Sequence, residues 1–548
     1  MKPHWPLPAS LSLSAYAGRP SRCDPSYFTE IAVPGTQILD VSTTLQWQYL
    51  NDASYATGLD HPAQAKPIDF CNVTVSLTHP GWNDRVHIYV WLPLNDNWNG
   101  RYMSVGGGGL VAGGEGGLAE PVSMGYAAAN TDGGHSVFVP FADLFNSEDW
   151  ALTSPGNTNW YGINDFASRS IGDLPKVAKQ VVGVFYGKGP KYSYWTGCST
   201  GGRQGLMSAQ RYAGDHDGIL AAASAINWDV FWAAGIWPHV IMYEAGYFLP
   251  PCEFEVLRQG AIDACDELDG VRDGVISAEW LCNFTATELV GHKFRCGGRE
   301  RYVSRTAAEV VDKIWKGPHD VHGRRIWYGL TRDTPTSAVL LGASIGTAKT
   351  ECDAQQDHCH GVPFPLTTDV IRNWVMKDPD FDPETMDAEM FRHIVRKSRS
   401  EFASVIGTAD PDLTEFKKAG GKMITWHGLA DQIIPKNGTS SYYDLVEACD
   451  PDVRNYYRYF EAPGVFHCAG GPGPNPIGVF DALIKWVEQD KAPETLHATT
   501  VPWGSDNARL TRPLCLYPLV AAYIGGDKNE AASYRCAKAY DAYRRQDL

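Results

Sequence analysis

The chain has 548 residues, 44% hydrophobic and 20% charged, which is enough to bury a large core and excludes disorder over most of its length. A formal charge of −16 with no Lys/Arg block excludes nucleic acid and anionic membrane surfaces as partners. No run of about 18 apolar residues reads as a transmembrane helix.

At the N-terminus, Lys2 followed by "PLPASLSLSAYA", with small residues at Ala15 and Ala17, has the order of a signal peptide, predicted over residues 1–17. Thirteen cysteines are many for a reducing cytosol, and Asn72-Val-Thr, Asn283-Phe-Thr and Asn437-Gly-Thr permit glycosylation. Secretion is therefore expected. Prolines in a weak apolar region keep an intracellular location as the alternative.

Next, "RVHIYVWLP" and "RYMSVGGGG" read as strands leading to a glycine-rich turn. "FASRSIGDLPKVAKQVVGVFYG" has helical apolar spacing and stops at Gly187. "KYSYWTG" is a strand, and "GRQGLMSAQRYA" is the helix after it. Between them, Gly197-Cys198-Ser199-Thr200-Gly201 fits the Gly-x-Ser-x-Gly nucleophile elbow, in the strand–turn–helix context that motif requires. From about Ile226 to Glu401 the character changes to acidic turns, clustered cysteines and few clean strands. "GKMITWHG" then returns as a strand, and "VFDALIKWVEQD" as an amphipathic helix. The expected architecture is an α/β core in two parts, residues 18–225 and 402–548, with one long insertion over 226–401. An insertion there would sit over the strand ends, where substrates bind.

Acyl transfer by serine needs a base to take the hydroxyl proton and a carboxylate to hold that base's tautomer. In α/β-hydrolases the order is Ser, Asp/Glu, His. "TWHGLADQIIP" places Asp431 just beyond a strand, and "PGVFHCAGGPGP" places His467 in a glycine- and proline-rich loop. His497, the one histidine after it, has no turn chemistry around it. The predicted triad is Ser199, Asp431 and His467. Cys198 precedes the serine and Cys468 follows the histidine, so a disulfide between them would clamp nucleophile to base. The rival reading makes Cys198 itself a thiol nucleophile.

These pieces resemble the tannase/feruloyl esterase family, through "GCSTGGRQGLMSAQR", "HGLADQIIP" and "HCAGGPGP", with "GGGGL", "WVEQDKAPETL" and "RPLCLYP" in support. The resemblance runs from about Cys23 to the C-terminus. It implies an α/β-hydrolase core with a large inserted lid domain, no organic cofactor, and hydrolysis of esters of phenolic or aromatic acids such as gallate or ferulate. The substrate would be a small aromatic ester or a phenolic ester of a plant polysaccharide or tannin. A biosynthetic intracellular esterase of the same fold and a non-catalytic phenol- or glycan-binding relative are the alternatives.

Elbow geometry makes the Thr200 amide one oxyanion donor, and "SVGGGGL" offers Gly107 or Gly108 for the second. In "CDELDGVRDGVI", closely spaced acids and glycines could hold calcium, though not with EF-hand spacing. The resemblance implies a structural calcium in the lid, on the side chains of Asp266, Asp269 and Asp273 and the carbonyls of Val271 and Val275. It also implies disulfides Cys23–Cys71, Cys265–Cys282 and Cys515–Cys536. Cys252, Cys296, Cys352, Cys359 and Cys449 remain, an odd number, so at least one is free or pairs between chains. Cys296 departs from the family in having no partner nearby in sequence. "CDAQQDHCH" reads as a loop disulfide rather than a zinc site. Trp228, Trp232 and Trp237 are candidates for stacking on substrate, but their near-helical spacing favours the core.

Overall fold

A computed structural model describes residues 22–50, 67–94, 97–135, 144–340, 342–500 and 509–538. The signal peptide predicted over 1–17 lies outside the described residues. The main sheet contains β1 (Gln37–Tyr49), β2 (Ile68–Thr78), β3 (Val86–Pro93), β4 (Arg101–Val105), β5 (Ala127–Thr131), β6 (Tyr192–Cys198), β7 (Gly218–Ala222), β8 (Lys422–Gly428) and β9 (Tyr457–Ala462). Their spatial order is β1-β2-β3-β5-β4-β6-β7-β8-β9. Pairs up to β3–β5 are antiparallel. Every later pair is parallel.

Parallel strands need both faces covered, and period-two alternation sends neighbouring side chains to opposite layers. In β8, Met423 joins one apolar cluster and Ile424 the other. The first cluster takes Ile171, Leu174 and Val181 from α1 (Ser170–Tyr186) and Leu206 from α2 (Thr200–Arg211). The second packs against Phe480, Leu483 and Trp486 near the C-terminus, on the helix Val479–Gln489 predicted from its amphipathic pattern. Gly187 ends α1 at φ 73°, a left-handed cap that glycine adopts without strain.

Between β7 and β8 the described residues add no strand to this sheet. They form helices, among them α3 (Trp228–Ala234), α4 (Pro251–Cys265) and α5 (Ala388–Ile406), and short hairpins. Their apolar side chains, among them Trp228, Phe254, Val311, Trp374 and Phe391, share one cluster with Leu110, Phe166 and Ile433 from outside this segment. Trp228, Trp232 and Trp237 are all buried in it.

Disulfides join Cys23–Cys71, Cys198–Cys468, Cys265–Cys282 and Cys515–Cys536. Cys296 finds Cys252, 44 positions upstream, which ties a hairpin to α4. Cys352 and Cys359 close another hairpin on themselves. Cys449 is free and exposed.

Candidate active site

The sheet's parallel half ends at a backbone crossing too tight for side chains. Ser199 sits between β6 and α2 at φ 63°, ψ −121°, a conformation rare for a residue with a Cβ. A Cβ on Gly197 would lie 2.6 Å from the Gly201 backbone, so the strand needs glycine there to approach the helix, and one on Gly201 would lie 3.0 Å from the Gly107 carbonyl of the glycine loop. The Gly201 amide donates to the Gly107 carbonyl at 3.0 Å, which brings the glycine loop against the elbow. Two side chains of α2 then fix that loop. The Thr200 hydroxyl donates to the Gly109 carbonyl at 2.6 Å. Gln204, one turn further on, accepts the Gly107 amide at 2.9 Å and donates to the Ala112 carbonyl at 2.9 Å.

This arrangement moves one expectation. The Gly107 amide is engaged by Gln204, and the Gly108 amide donates to the Val111 carbonyl at 3.1 Å. Both amides named from sequence in this loop are thus already hydrogen-bonded, one to α2 and one within the loop. Gly109, at φ 56°, also lines the cavity beside Ser199, and among the described residues its amide makes no such bond.

Asp431 lies three residues beyond β8 and is 2% exposed. Its Oδ1 accepts the amides of Ile433 (2.9 Å) and Ile434 (2.8 Å). Its Oδ2 lies 2.7 Å from His467 Nδ1 and 3.2 Å from His427 Nε2. Burial alone would raise its pKa, but the neighbouring His467 and the hydrogen bonds from both histidines hold it well below the usual carboxylate range. With Nδ1 of His467 donating to Asp431, Nε2 is left to accept a proton, which is the tautomer a general base needs.

Sequence reasoning missed His427. Its ring is fully buried, with Nε2 also 3.0 Å from the Ile434 carbonyl and Nδ1 accepting from the Thr439 hydroxyl at 2.8 Å. The signal was present in "TWHGLAD": residues 427 and 431 are four apart where a strand turns into a loop. Gln432 was missed as well, and its Oε1 accepts the His467 amide at 3.1 Å.

The bond between Cys198 and Cys468 holds their Cα atoms 5.9 Å apart across 270 positions of sequence. It also leaves Cys198 without a thiol to attack with. Ser199 and His467 line one cavity, together with Leu144, Phe145, Trp232, Phe364 and Ile433. Trp232 thus serves both the core and the cavity wall. His497, by contrast, lies in the middle strand of a separate three-stranded sheet, between Ile477 and Pro513.

The acidic loop is built around its own amides. Asp266 accepts amides from Asp273 (3.1 Å) and Gly274 (2.8 Å), and Asp269 accepts that of Val271 (3.1 Å). Asp273 pairs with Arg512 at 2.6 Å. Burial and the charge of Asp273 push Asp269 up to about 7, and burial also raises Asp273 despite Arg512. Asp273 is the one of the three shown paired with a guanidinium, and carboxylate oxygens are the hard donors a divalent cation takes. Among the described residues, the trio whose ligand atoms all lie within 4.8 Å of one another is elsewhere, at His79, Asp84 and Asp165. There His79 is already engaged, by Asp84 at 2.5 Å and Asp173 at 2.9 Å.

Comparison with known proteins places these features in context. Residues 71–537 match the model of the family described as tannase and feruloyl esterase. The chain is 41% identical over 495 residues to a probable feruloyl esterase of Arthroderma benhamiae, covering 88% of this chain and 89% of the relative. Its fold is similar to that of the tannin acyl hydrolase from Aspergillus niger, with a TM-score of 0.82 and 26% identity over 95% of this chain and 96% of that one. Feruloyl esterase B from Aspergillus oryzae superposes with a TM-score of 0.73 at 22% identity, over 94% of this chain and 100% of that one.

Proposed function

The chain belongs to the tannase and feruloyl esterase family and is a carboxylic ester hydrolase, and from that premise we propose that it cleaves esters of aromatic acids through Ser199, His467 and Asp431. One observation carries the assignment: the strained elbow serine and the Asp431-held imidazole line one cavity, with a disulfide joining the residues beside them.

In the reaction, Ser199 Oγ attacks the ester carbonyl while His467 Nε2 takes its proton. The carbonyl oxygen becomes an oxyanion that accepts from the Thr200 amide and, in place of Gly107 and Gly108, the Gly109 amide. His467 returns the proton to the departing alcohol, leaving an acyl-serine. Water then attacks that acyl carbon with the same imidazole as base, which releases the acid and restores the serine. Asp431 remains ionised throughout and stabilises the imidazolium. An aryl phosphonate should therefore label Ser199, block aryl-ester hydrolysis in step with labelling, and leave other serines unmodified by peptide mass spectrometry. Unlabelled enzyme, or labelled enzyme that stays active, would contradict this.

Residues 18–225 and 402–548 form the α/β-hydrolase core in this reading, and 226–401 the lid. Support comes from the main sheet, which takes no strand from the described residues of the lid segment, and from the cavity side chains that segment supplies, Trp232 and Phe364 among them. Six disulfides support an extracellular setting. Of the three sequons, Asn283 is exposed and open to a glycan, whereas Asn72 lies in β2 with Nδ2 bound to Glu115 at 2.7 Å.

Calcium would be held by the side chains of Asp266, Asp269 and Asp273 with the carbonyls of Val271 and Val275. Its contribution there is to neutralise buried negative charge. A ligand bound to the native state alone stabilises by mass action. Chelator should accordingly lower the melting temperature by several degrees and leave the initial rate at room temperature within about twofold. Immediate loss of turnover from a folded protein would make the metal catalytic instead.

A further inference from the structure

Gly106, Gly107, Gly108 and Gly109 run in succession, so this loop has no side chains with which to hold its own shape, and glycine has the most backbone freedom to lose. Reciprocal bonds close its tip. The Gly108 amide donates to the Val111 carbonyl at 3.1 Å, and the Val111 amide donates back to the Gly108 carbonyl at 3.0 Å. Residues 108–111 therefore form a small unit, and what remains to be set is where that unit sits relative to Ser199.

Gln204 grips the unit at its base, on both sides at once. Its Oε1 accepts the amide of Gly107, just before the unit, and its Nε2 donates to the carbonyl of Ala112, just after it, each at 2.9 Å. The side chain is fully buried, so water does not take its place. Of the common side chains, a carboxamide suits this position because it offers an acceptor and a donor together, whereas a carboxylate only accepts and an ammonium only donates. The neighbouring Arg203 turns away, to the carbonyls of Phe166 and Ala167.

The two amides assigned to the oxyanion lie on different elements, Thr200 at the start of α2 and Gly109 in the loop. Their separation is set by whatever ties the loop to the helix. We propose that Gln204 is a positioning residue for the oxyanion hole, which holds the glycine loop against α2 and so fixes the spacing of the two donors. The proposal rests on the ester-hydrolase reading and adds to it a residue that acts through the loop. Donors aimed in advance at the developing charge speed the reaction without having to tighten substrate binding.

The test uses two variants and two substrates. Gln204→Met removes both bonds at similar length, and Gln204→Asn draws the same group back by one methylene, about 1.5 Å. Each should lower kcat on methyl cinnamate about 10- to 100-fold, less than the loss of a whole oxyanion donor, with KM within about threefold. The second substrate is O-methyl thionocinnamate, whose tetrahedral intermediate carries its charge on sulfur, a larger and weaker acceptor that gains little from donors placed for oxygen. Wild type should prefer the oxygen ester, and both variants should lower that preference about tenfold. A general structural defect would slow both esters alike. Either variant folded by circular dichroism and as fast as wild type overturns the proposal, as does a slow variant whose oxygen-to-sulfur preference is unchanged. Wild-type enzyme that hydrolyses no aryl ester would instead sink the ester-hydrolase reading.

Discussion

Ser199→Ala should lower kcat on aryl esters by about 10⁴- to 10⁶-fold with an unchanged circular dichroism spectrum, since a methyl group cannot attack a carbonyl. His467→Ala should match it, because a nucleophile and its base act as one unit and their losses do not add. Asp431→Asn should cost up to about 10⁴-fold for a reason specific to this site. Asp431 Oδ2 faces donors from two imidazoles, so an amide NH2 placed there would force one of them into the wrong tautomer. His427→Leu should be milder, about 10- to 100-fold, since Asp431 keeps His467 and two backbone amides. It also has a pH signature. Removing a donor makes the carboxylate more basic, so it stabilises the His467 imidazolium more strongly. The acid limb of kcat/KM should therefore move to higher pH, which a merely structural defect would not do. A Ser199→Ala enzyme with half the normal rate would remove the triad altogether.

Some of this site could be read in the sequence because local patterns and tertiary geometry share a cause there. A serine between strand and helix needs glycines on both sides, so the elbow at Gly197 to Gly201 leaves a spaced mark. Cys198 and Cys468 flank two candidate residues, and the structure joins them. The strands at Tyr192–Cys198 and Lys422–Gly428 follow from short apolar runs bounded by turns. What could not be read depends on hydrogen-bond partners distant in sequence. Nothing in "GGGG" says that Gln204 already holds the Gly107 amide. Nothing in "HGLAD" says that His427 turns back onto Asp431 with Thr439 behind it. The Cys252–Cys296 pairing was equally hidden, since it depends on where a hairpin lands on α4. Trp232 shows the same limit differently: helical spacing marks it as buried without showing that one edge of that core lines the cavity at Ser199.

Replacing both Cys198 and Cys468 by alanine should slow turnover by more than its effect on stability explains. The bridge closes a loop of 270 residues, and the chain-entropy model assigns such a loop a few kcal/mol of unfolding stability, although measured values scatter widely. A protein that size can lose this much and remain folded at room temperature. Catalysis is less tolerant. Ser199 is held by the β6–α2 crossing, and His467 by Asp431 and the Gln432 side chain. These are separate anchors, one on each side of the cavity. The disulfide is the covalent link between them, and Cys468 itself sits at φ 62°, so the histidine loop is bent sharply where it is tied. Released, that loop can relax toward ordinary backbone angles and carry the imidazole with it. A displacement of about 1 Å costs roughly a hundredfold when reacting groups must meet within hydrogen-bonding reach. The folded double variant should therefore show kcat at least tenfold below wild type at temperatures well under its melting point. Single-turnover kinetics should place the loss in acylation, the first step that needs serine and imidazole together. A folded double variant as fast as wild type would leave the bridge as a stability element alone, with the two backbone anchors sufficient to aim the triad.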